Sequence, residues 1–318
     1  MIGAFVLRRG GQILLTMIVL VIVTFIIVRV APGGPAQVLL GPDQVSPERI
    51  AEVDERLGLD RSLPEQFWRW TEAVAQGDLG SSYFYRMPAL QLVIERLPAT
   101  LILGGSALLV AMTVGIPLGA FAATHRGGWI DRTIRSGTII VMSLPVFWLG
   151  IGLIFLFSAR MGWLPSSGTG PITGDVTVAQ RLRYLVLPML AMALPTAATL
   201  SLYTRSAVLE VLGRDYMQTA RAKGLPEGKL LWGHAFRNAA IPVVVQIGLT
   251  LPHLLEGSIV VETVFSWPGI GQLTASSVGR RDYPVLLAIV LLVGLGVLLS
   301  SLLTDIVQRM IDPRLDLR

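Results

Sequence analysis

The stretch YPVLLAIVLLVGLGVLLSSLLT fills residues 283–304 and carries no charged side chain between Asp282 and Asp305. A helix that crosses the hydrocarbon core of a bilayer needs about 20 mostly apolar residues. Strands of a membrane barrel alternate apolar and polar residues, and this stretch shows no such alternation. The stretch therefore predicts a membrane-spanning helix.

The composition of the whole chain agrees with this prediction. Of its 318 residues 53% are hydrophobic and 15% are charged, and the mean hydropathy is +0.65. A soluble domain carries about 25% charged residues, so the composition is that of an integral membrane protein. The net charge of +5 is accounted for by orientation in the membrane, discussed below, and we expect no nucleic-acid partner. Cysteine is absent, which excludes disulfides, thiolate metal sites and cysteine nucleophiles.

Charged or histidine side chains separate six apolar runs, which predicts an all-α membrane protein with six transmembrane helices. The runs are residues 10–28, 97–124, 136–159, 184–204, a segment from 238 to about 261 that His253 and Glu256 interrupt, and 283–304. Arg8 and Arg9 before the first run are also typical of a cleaved signal peptide. The run exceeds the roughly 7–15 apolar residues of such a segment, so we expect it to remain as the first span.

The distribution of Lys and Arg predicts the orientation of these spans. Short cytoplasmic loops are enriched in both residues, whereas long translocated segments are exempt from the rule. With a cytoplasmic N-terminus, fourteen basic residues lie inside and five lie in the short outer loops. The fourteen are Arg8, Arg9, Arg126, Arg132, Arg135, Arg205, Arg214, Arg221, Lys223, Lys229, Arg237, Arg309, Arg314 and Arg318, and the five are Arg160, Arg181, Arg183, Arg280 and Arg281. We expect both termini in the cytoplasm.

Residues 32–96 predict a small helical extracytoplasmic segment. Ser-Pro-Glu at 46–48 is a typical helix start, with a cap, a proline at the first position and an acid in the first turn. That helix continues to about Leu57, a second covers 63–75, and Gly-Asp-Leu-Gly at 77–80 forms a turn. The second helix carries three aromatic side chains typical of membrane-interface anchoring or of a partner contact, Phe67, Trp68 and Trp70.

The basic stretch RAKGLPEGKLLWGHAFRNAAIP, residues 221–242, separates the fourth and fifth runs. Before it, Asp215 with Gln218 three residues later fits a capping box and predicts a short helix. Gly224 suits the left-handed position after a helix end, and Pro226 suits the first position of a second helix. A loop that only touches anionic lipid needs no such order. Fixed order favours a protein partner, while lipid contact stays as the alternative.

In this region the chain resembles a family. Gln218-Thr219-Ala220 followed by Gly224 is similar to the Glu-Ala-Ala, three residues, Gly pattern of bacterial ABC importer permeases, with Gln218 in place of the glutamate. His234-Ala235-Phe236-Arg237 lies where that pattern ends in Ile-x-Leu-Pro, with Arg237 in place of the proline. Five stretches resemble the dipeptide, oligopeptide and nickel branch in particular: DYMQTARAKGLPEGKLLWGHAFRNAAIPVV (215–244), VVETVFSWPGIGQL (260–273), RDYPV (281–285), GDLGSSY (77–83) and DPR (312–314).

The resemblance implies a type I ABC importer permease fold. Residues 1–96 would form an N-terminal span plus the extracytoplasmic segment, and 97–312 a five-span core with a coupling helix at about 215–224. That helix would dock on an ATP-hydrolysing subunit. The docking residues so implied are Asp215, Tyr216, Gln218, Thr219, Ala220, Arg221, Ala222, Lys223 and Gly224. Gln218 can accept and donate hydrogen bonds but cannot form the ion pair open to a glutamate.

The resemblance also implies a task and partners. The chain would be a multi-pass protein of the bacterial inner membrane, working beside a similar permease, two ATPase subunits that bind ATP and Mg, and an extracytoplasmic solute-binding protein. The implied cargo is di- or oligopeptides, with nickel chelates, glutathione and oligosaccharides as alternatives. From the residues themselves, Gly228-Lys229 is followed by Leu230 and not by the Ser or Thr of a phosphate-binding loop. We therefore expect no cofactor and no enzymatic activity in this chain.

Ionisable groups inside a span are functional candidates by default. His253 and Glu256 lie three residues apart, hence on one helix face, and Glu262 follows near the outer end of the fifth span. All three would line the translocation path, and His253 and Glu256 would contact a charged peptide terminus. The alternative is that His253 and Glu256 form a buried pair, or that Glu256 lies close enough to the surface to stay hydrated. With three histidines in all and no close metal-type cluster, we expect no metal site and no catalytic residues.

Glycines, prolines and one tryptophan add three further expectations. By resemblance, one stretch lies near the outer gate where the solute-binding protein docks, and interface anchoring by its tryptophan is the alternative. Its residues are Trp267, Pro268, Gly269 and Gly271, within a predicted turn over 267–271. Four glycines predict close helix approach, Gly115, Gly119, Gly150 and Gly152. Six prolines within spans predict kinks, Pro117, Pro145, Pro188, Pro195, Pro242 and Pro252.

A competing class is an ATP-independent secondary transporter or channel. Such proteins commonly show inverted repeats or charged pairs at mid-membrane, and neither is evident in the sequence. A membrane-embedded enzyme would need a nucleophile or metal constellation, which we do not find. The permease is the interpretation that the sequence favours.

Overall fold

The computed structural model describes residues 2–30, 46–56, 58, 60–170, 177–226, 228, 233 and 235–311. Across these ranges the chain is helical, and the β pairing there is confined to one isolated bridge between Ser81 and Pro88. The helices are α1 (Ile2–Val30), α2 (Pro47–Arg56), α3 (Leu63–Ala75), α4 (Ala89–Thr124), α5 (Trp129–Ser143), α6 (Val146–Leu153), α7 (Val178–Leu212), α8 (Asp215–Ala222), α9 (Phe236–Val264), α10 (Ile270–Arg280) and α11 (Tyr283–Ile311). A π-helical segment, Ile154–Arg160, continues α6. The all-α prediction is confirmed.

Four of these helices, α1, α4, α7 and α11, are long and apolar enough to cross a membrane. A fifth candidate is α5 together with α6 and its π-helical continuation, a pair that bends by 102° at the break after Ser143. Pro145 occupies the break, where its missing N–H cannot continue the helix. Helix α9 contains an apolar segment, Asn238–Pro252, that is shorter than the four long candidate spans. The described residues thus give four or five candidate spans, and the count of six remains a prediction.

The chain divides into two compact units. The first unit comprises Met1–Pro98 and Gly269–Leu298, and the second comprises Ala99–Pro268 and Leu299–Arg318. The first unit thus groups residues 1–98 with 269–298, and the division predicted at residue 96 stays a prediction.

The first unit has its own apolar core, formed by the chain before α4, the first turns of α4 and α11, and α10. Its buried members are Leu79, Ala89, Leu92, Val93, Ile270, Leu273, Val285, Ala288, Ile289 and Leu291. Helix α1 adds Phe25, whose ring lies 5.2 Å from that of Phe67 and 5.6 Å from that of Trp70 on α3. Trp68 is 71% exposed, so of the three predicted anchoring aromatics it alone faces away from the core.

The second unit is held by close contact between α4 and α7. A Cβ atom at Gly115 would lie 2.4 Å from the carbonyl oxygen of Ala197, and one at Gly119 would lie 2.2 Å from that of Ser201. Both distances are far below van der Waals contact, so only glycine lets the two backbones meet here. Three apolar clusters also hold this unit together, and they bury Leu103, Leu187, Leu200, Val208, Met217, Val261 and Phe265 among others.

Candidate functional site

The segment Asp215–Gly224, here named the bracket, follows α7 directly. Helix α7 ends at Leu212, and α8 occupies Asp215–Ala222. Gly224 has a φ of +78°, the left-handed conformation that glycine adopts without strain. The predicted short helix with its glycine end is confirmed. The second predicted helix, from Pro226, lies largely outside the described residues.

Met217 anchors the bracket in the core of the second unit. Its side chain is fully buried, 0% exposed, in an apolar cluster that also contains Val208 and Val211 of α7 and Ala239 and Val243 of α9. A buried methionine makes many weak contacts and fills irregular space. One buried cluster thus contains side chains of α8 and of both long helices that flank it in sequence.

The remaining faces of the bracket are open. Its exposed residues are Asp215, Tyr216, Gln218, Thr219, Ala222, Lys223 and Gly224, while Ala220 is partly buried. The side chain of Arg221 lies outside the described part of the chain. Tyr216 is 45% exposed, and its hydroxyl accepts a hydrogen bond of 3.1 Å from Asn238 Nδ2. Most of the implied docking residues therefore share a solvent-facing surface on a segment of fixed shape.

An ion pair braces α7 a few residues before the bracket. Arg205 donates from Nε to Asp131 Oδ1 at 2.6 Å and from Nη2 to Oδ2 at 2.8 Å. The backbone N–H of Gly127 donates to the same Oδ2 at 2.9 Å. Asp131 is 1% exposed and Arg205 18%, so the pair is largely removed from water. The sequence analysis counted Arg205 only as a basic residue for orientation and missed the pair, because its partner is 74 residues away.

Of the predicted path residues, Glu262 is inside the second unit. It is 0% exposed, and Thr100 Oγ1 donates to its Oε1 at 2.8 Å. A buried carboxylate needs such donors, because desolvating the charge is otherwise costly. The side chains of His253 and Glu256 lie outside the described residues, so their shared face stays a prediction.

The stretch predicted at the outer gate is mostly buried. Trp267 is 6% exposed, and its Nε1 donates to the carbonyl oxygen of Ala99 at 2.9 Å. Gly269 and Gly271 are buried and Pro268 is intermediate. The Trp267 ring packs in the core of the second unit, and both its role at the outer gate and the alternative of interface anchoring stay predictions. The predicted turn is also too long, since α10 already begins at Ile270 and includes Gly271.

Two of the stretches that carried the resemblance meet in the first unit. Asp282, between α10 and α11, is 1% exposed and accepts a hydrogen bond from Ser82 Oγ. It also accepts from the backbone N–H of Tyr83 at 3.1 Å and, at a longer 3.4 Å, from that of Phe84. We name residues 80–88 the clamped turn. The sequence carries both stretches as parts of the resemblance, but nothing in it predicts that they are in contact.

No group of three or more His, Asp or Glu side chains lies close enough to hold a metal ion in the part of the chain that the structure describes.

Two family descriptions match the chain. One, "Binding-protein-dependent transport system inner membrane component", matches residues 115–317, and the N-terminal region of the same type of component matches 1–104. The chain belongs to this family. As such an inner membrane component it is a multi-pass part of a transport system and not its catalytic subunit.

Named relatives cover the chain almost end to end. The dipeptide transport system permease protein DppB of Escherichia coli (strain K12) is 38% identical over 332 residues, with 98% of each chain covered. The glutathione transport system permease protein GsiC of Salmonella paratyphi A is 39% identical over 309 residues, with 97% of each covered. A solved chain of the MetNI methionine ABC transporter, in an inward-facing conformation, matches with a TM-score of 0.57 at 20% identity, covering 70% of this chain and 96% of that one. At that identity the structure shows the shared fold alone.

Proposed function

We propose that this inner membrane component is the permease subunit of an ATP-driven importer and moves di- or oligopeptides by alternating access. The bracket is the observation that carries this proposal. Its helix is fixed on one side by Met217 and open on the others, as a site that receives force from a separate subunit requires. The peptide cargo is supported by the dipeptide relative from Escherichia coli.

The proposed topology has six spans in a type I importer fold. It counts α9 and the bent pair of α5 and α6 as spans besides the four long apolar helices. The excess of basic residues, fourteen against five, supports cytoplasmic termini and a cytoplasmic bracket. Residues 32–96 would then be extracytoplasmic.

The proposed assembly contains a second, similar permease, two ATPase subunits holding ATP and Mg, and an extracytoplasmic solute-binding protein. Closure of the ATPases would displace the bracket. Because Met217 shares one buried cluster with side chains of α7 and α9, that displacement would reach both long helices and bias the carrier between inward- and outward-facing states.

Glutathione is the second candidate cargo, because the relative from Salmonella paratyphi A is named for it. Glutathione is a small peptide with a free amine and free carboxylates, so the two cargoes share most of their chemistry. Calorimetric titration of the associated solute-binding protein with dipeptides, longer peptides, glutathione, nickel chelates and an oligosaccharide separates them. Binding of only the last two would refute a peptide cargo.

Replacing Gly224 tests the docking assignment. Among the residues that the structure describes, none has an atom within 4 Å of a Cβ built at Gly224, so a side chain there should disturb a partner more than it disturbs the described fold. Asparagine tolerates the left-handed conformation best among the other residues, which keeps backbone strain small. We expect Gly224→Asn to reduce both co-purification of the ATPase subunits and ATP-dependent uptake by about tenfold, equivalent to one lost interfacial hydrogen bond to a charged group.

Gly228→Asn is the control, because Gly228 is also exposed, no described residue comes within 4 Å of its added Cβ, and it lies outside the bracket. It should leave both measurements at the wild-type level. Equal, unimpaired behaviour of the two variants would count against docking at the bracket. Uptake that persists in vesicles depleted of ATP would instead support the secondary-transporter class.

A further inference from the structure

The clamped turn is organised around one buried carboxylate. Asp282 is nearly inaccessible, 1% exposed, and a buried charge is stable only when donors satisfy it. Three donors converge on it, and all three come from consecutive residues of the turn: the Ser82 hydroxyl and the N–H groups of Tyr83 and Phe84. Hydrogen bonds to a charged acceptor are about twice as strong as neutral ones.

Ser82 connects the attachment of the turn to its internal shape. Its Oγ donates to Asp282 and accepts from the N–H of Tyr85 at 2.8 Å. Its backbone N–H donates to the carbonyl oxygen of Met87 at 2.9 Å. Arg86, inside the same turn, has a φ of +53°, which a residue other than glycine adopts only when its surroundings enforce it. Loss of the Asp282 contact would therefore release the turn and not only one bond.

Further contacts attach the turn to the chain around Asp282. The guanidinium carbon of Arg280 lies 3.5 Å from the centre of the Phe84 ring, a cation–π contact. A Cβ at Gly80 would lie 3.3 Å from Pro284 Cβ, so the turn touches the first turn of α11. The backbone carbonyl oxygen of Asp282 accepts from the N–H of Leu286 at 3.1 Å, a hydrogen bond of the first turn of α11.

We propose that Asp282 is a positioning residue that keeps the clamped turn attached to the start of α11 throughout the transport cycle, so that turn and helix move as one body. This inference rests on the proposed transport function, because a cycle must exist for the attachment to persist through it. The competing behaviour is a turn that detaches from α11 in one of the carrier states.

This chain has no native cysteine, so thiols introduced by mutation can be cross-linked without a competing thiol in the same chain. The double variant Ser82→Cys/Asp282→Cys lacks the hydrogen bonds to the Asp282 carboxylate as long as its two thiols are reduced. Treatment with a short bifunctional thiol reagent then links the two positions covalently. Uptake is measured in proteoliposomes that contain the complete complex and ATP. We expect the reduced variant to transport at least about tenfold more slowly than wild type, because such a factor corresponds to the loss of one or two hydrogen bonds to a charged acceptor. Cross-linking should restore most of the rate.

Two outcomes overturn the proposal. Wild-type uptake by the reduced variant would show that the clamp is not needed. Complete loss of uptake on cross-linking would show that turn and helix must separate. Ser81→Cys, an exposed neighbour, controls for the reagent because it is labelled without being linked.

Trypsin cleavage after Arg86 gives a readout that does not depend on transport. Arg86 is exposed but held in the clamped turn, so cleavage requires the turn to open. We expect Asp282→Asn to raise the cleavage rate at Arg86 by about tenfold, while cleavage at Arg69, 57% exposed on α3, stays unchanged. An unchanged rate at Arg86 would refute the clamp. If wild type shows no ATP-driven uptake but Asp282→Asn speeds cleavage at Arg86, the proposed function fails and the clamp stands.

Discussion

The clamped turn and the bracket are both short, partly exposed segments attached to long helices, but they are attached by opposite chemistry. The turn is held by hydrogen bonds from three consecutive residues to buried Asp282. The bracket is held by fully buried Met217 among aliphatic side chains of α7 and α9. Both attachments are made in the core of their own unit.

The difference lies in directionality. Hydrogen bonds weaken steeply when donor and acceptor lose alignment, so the Asp282 attachment fixes position and orientation together. Apolar contact depends on buried area and has no preferred direction. Met217 therefore keeps the bracket in place while permitting it to rotate or slide by a small amount. A segment that transmits a push to two helices benefits from such latitude, whereas a segment that moves with one helix benefits from alignment.

Met217→Ala gives the largest effect that this comparison predicts. Removing a buried methionine side chain destabilises the local packing by about 2–5 kcal/mol. The exposed docking residues are unchanged, so the ATPase subunits should still co-purify. Uptake should fall steeply, and ATP hydrolysis should no longer respond to the loaded solute-binding protein. Both activities are measured on the reconstituted complex.

Met217→Leu is the control, because a swap that conserves volume costs less than about 1.5 kcal/mol. It should retain coupled transport, since an apolar anchor requires bulk and not a particular atom. Coupled transport in Met217→Ala, or loss of coupling in Met217→Leu, would contradict the apolar attachment.

Asp131→Ala examines a polar attachment in the same unit as the bracket. It leaves Arg205 without its carboxylate in a largely buried position. Breaking a buried pair costs about 3–5 kcal/mol, and because Arg205 keeps some solvent contact we expect about 2–3 kcal/mol. The measurement is the thermal unfolding midpoint of the purified chain in lipid nanodiscs, which should fall by several degrees.

The double variant Asp131→Ala/Arg205→Met separates charge from packing. Removing both partners leaves no uncompensated charge, so the double variant should be more stable than the single one. If the two midpoints coincide, the brace acts through packing and not through its charges.

Local chemistry explains what the sequence predicted well. The start of α2 at Pro47, the bounds of α3 and the left-handed Gly224 each depend on residues a few positions apart. Proline geometry and the tolerance of glycine for positive φ decide these features without help from the rest of the chain.

Pairing between distant residues explains what the sequence missed. Ser82 and Asp282 are separated by 200 positions, and Arg205 and Asp131 by 74. A charge count along the chain places each of these residues in a loop or at the end of a run, and no spacing rule connects it to its partner. The buried state of Trp267 has the same origin, because the acceptor of its N–H is Ala99, 168 positions earlier.

The glycines show how well the presence of small residues predicts close approach between helices. Gly115 and Gly119 meet the backbone of α7, and a Cβ at Gly150 would lie 3.1 Å from the Phe265 ring, as close helix approach predicts. A Cβ at Gly152 would meet no atom of the described residues within 4 Å. The sequence identifies small residues, but the face on which each one lies follows from packing, and the bend at Pro145 changes those faces within one apolar run.

Tyr216→Phe gives the smallest effect and examines whether the bracket has a directional attachment of its own. The variant removes the hydroxyl that accepts from Asn238 Nδ2 at 3.1 Å. Because Tyr216 is 45% exposed, water replaces part of the lost bond. We expect a cost near 0.5 kcal/mol and a change in uptake below about threefold. Asn238→Ala removes the donor of the same bond and should behave alike, and the double variant should show less than the sum of the two losses.

The comparison fails if Tyr216→Phe uncouples transport as strongly as Met217→Ala while the ATPase subunits still co-purify. The bracket would then be aligned by a hydrogen bond, as the clamped turn is, and the apolar anchor would only fill space. Loss of co-purification would mean something different, because Tyr216 also lies on the exposed face proposed for docking. Measuring assembly and coupling on the same preparation keeps the two explanations apart.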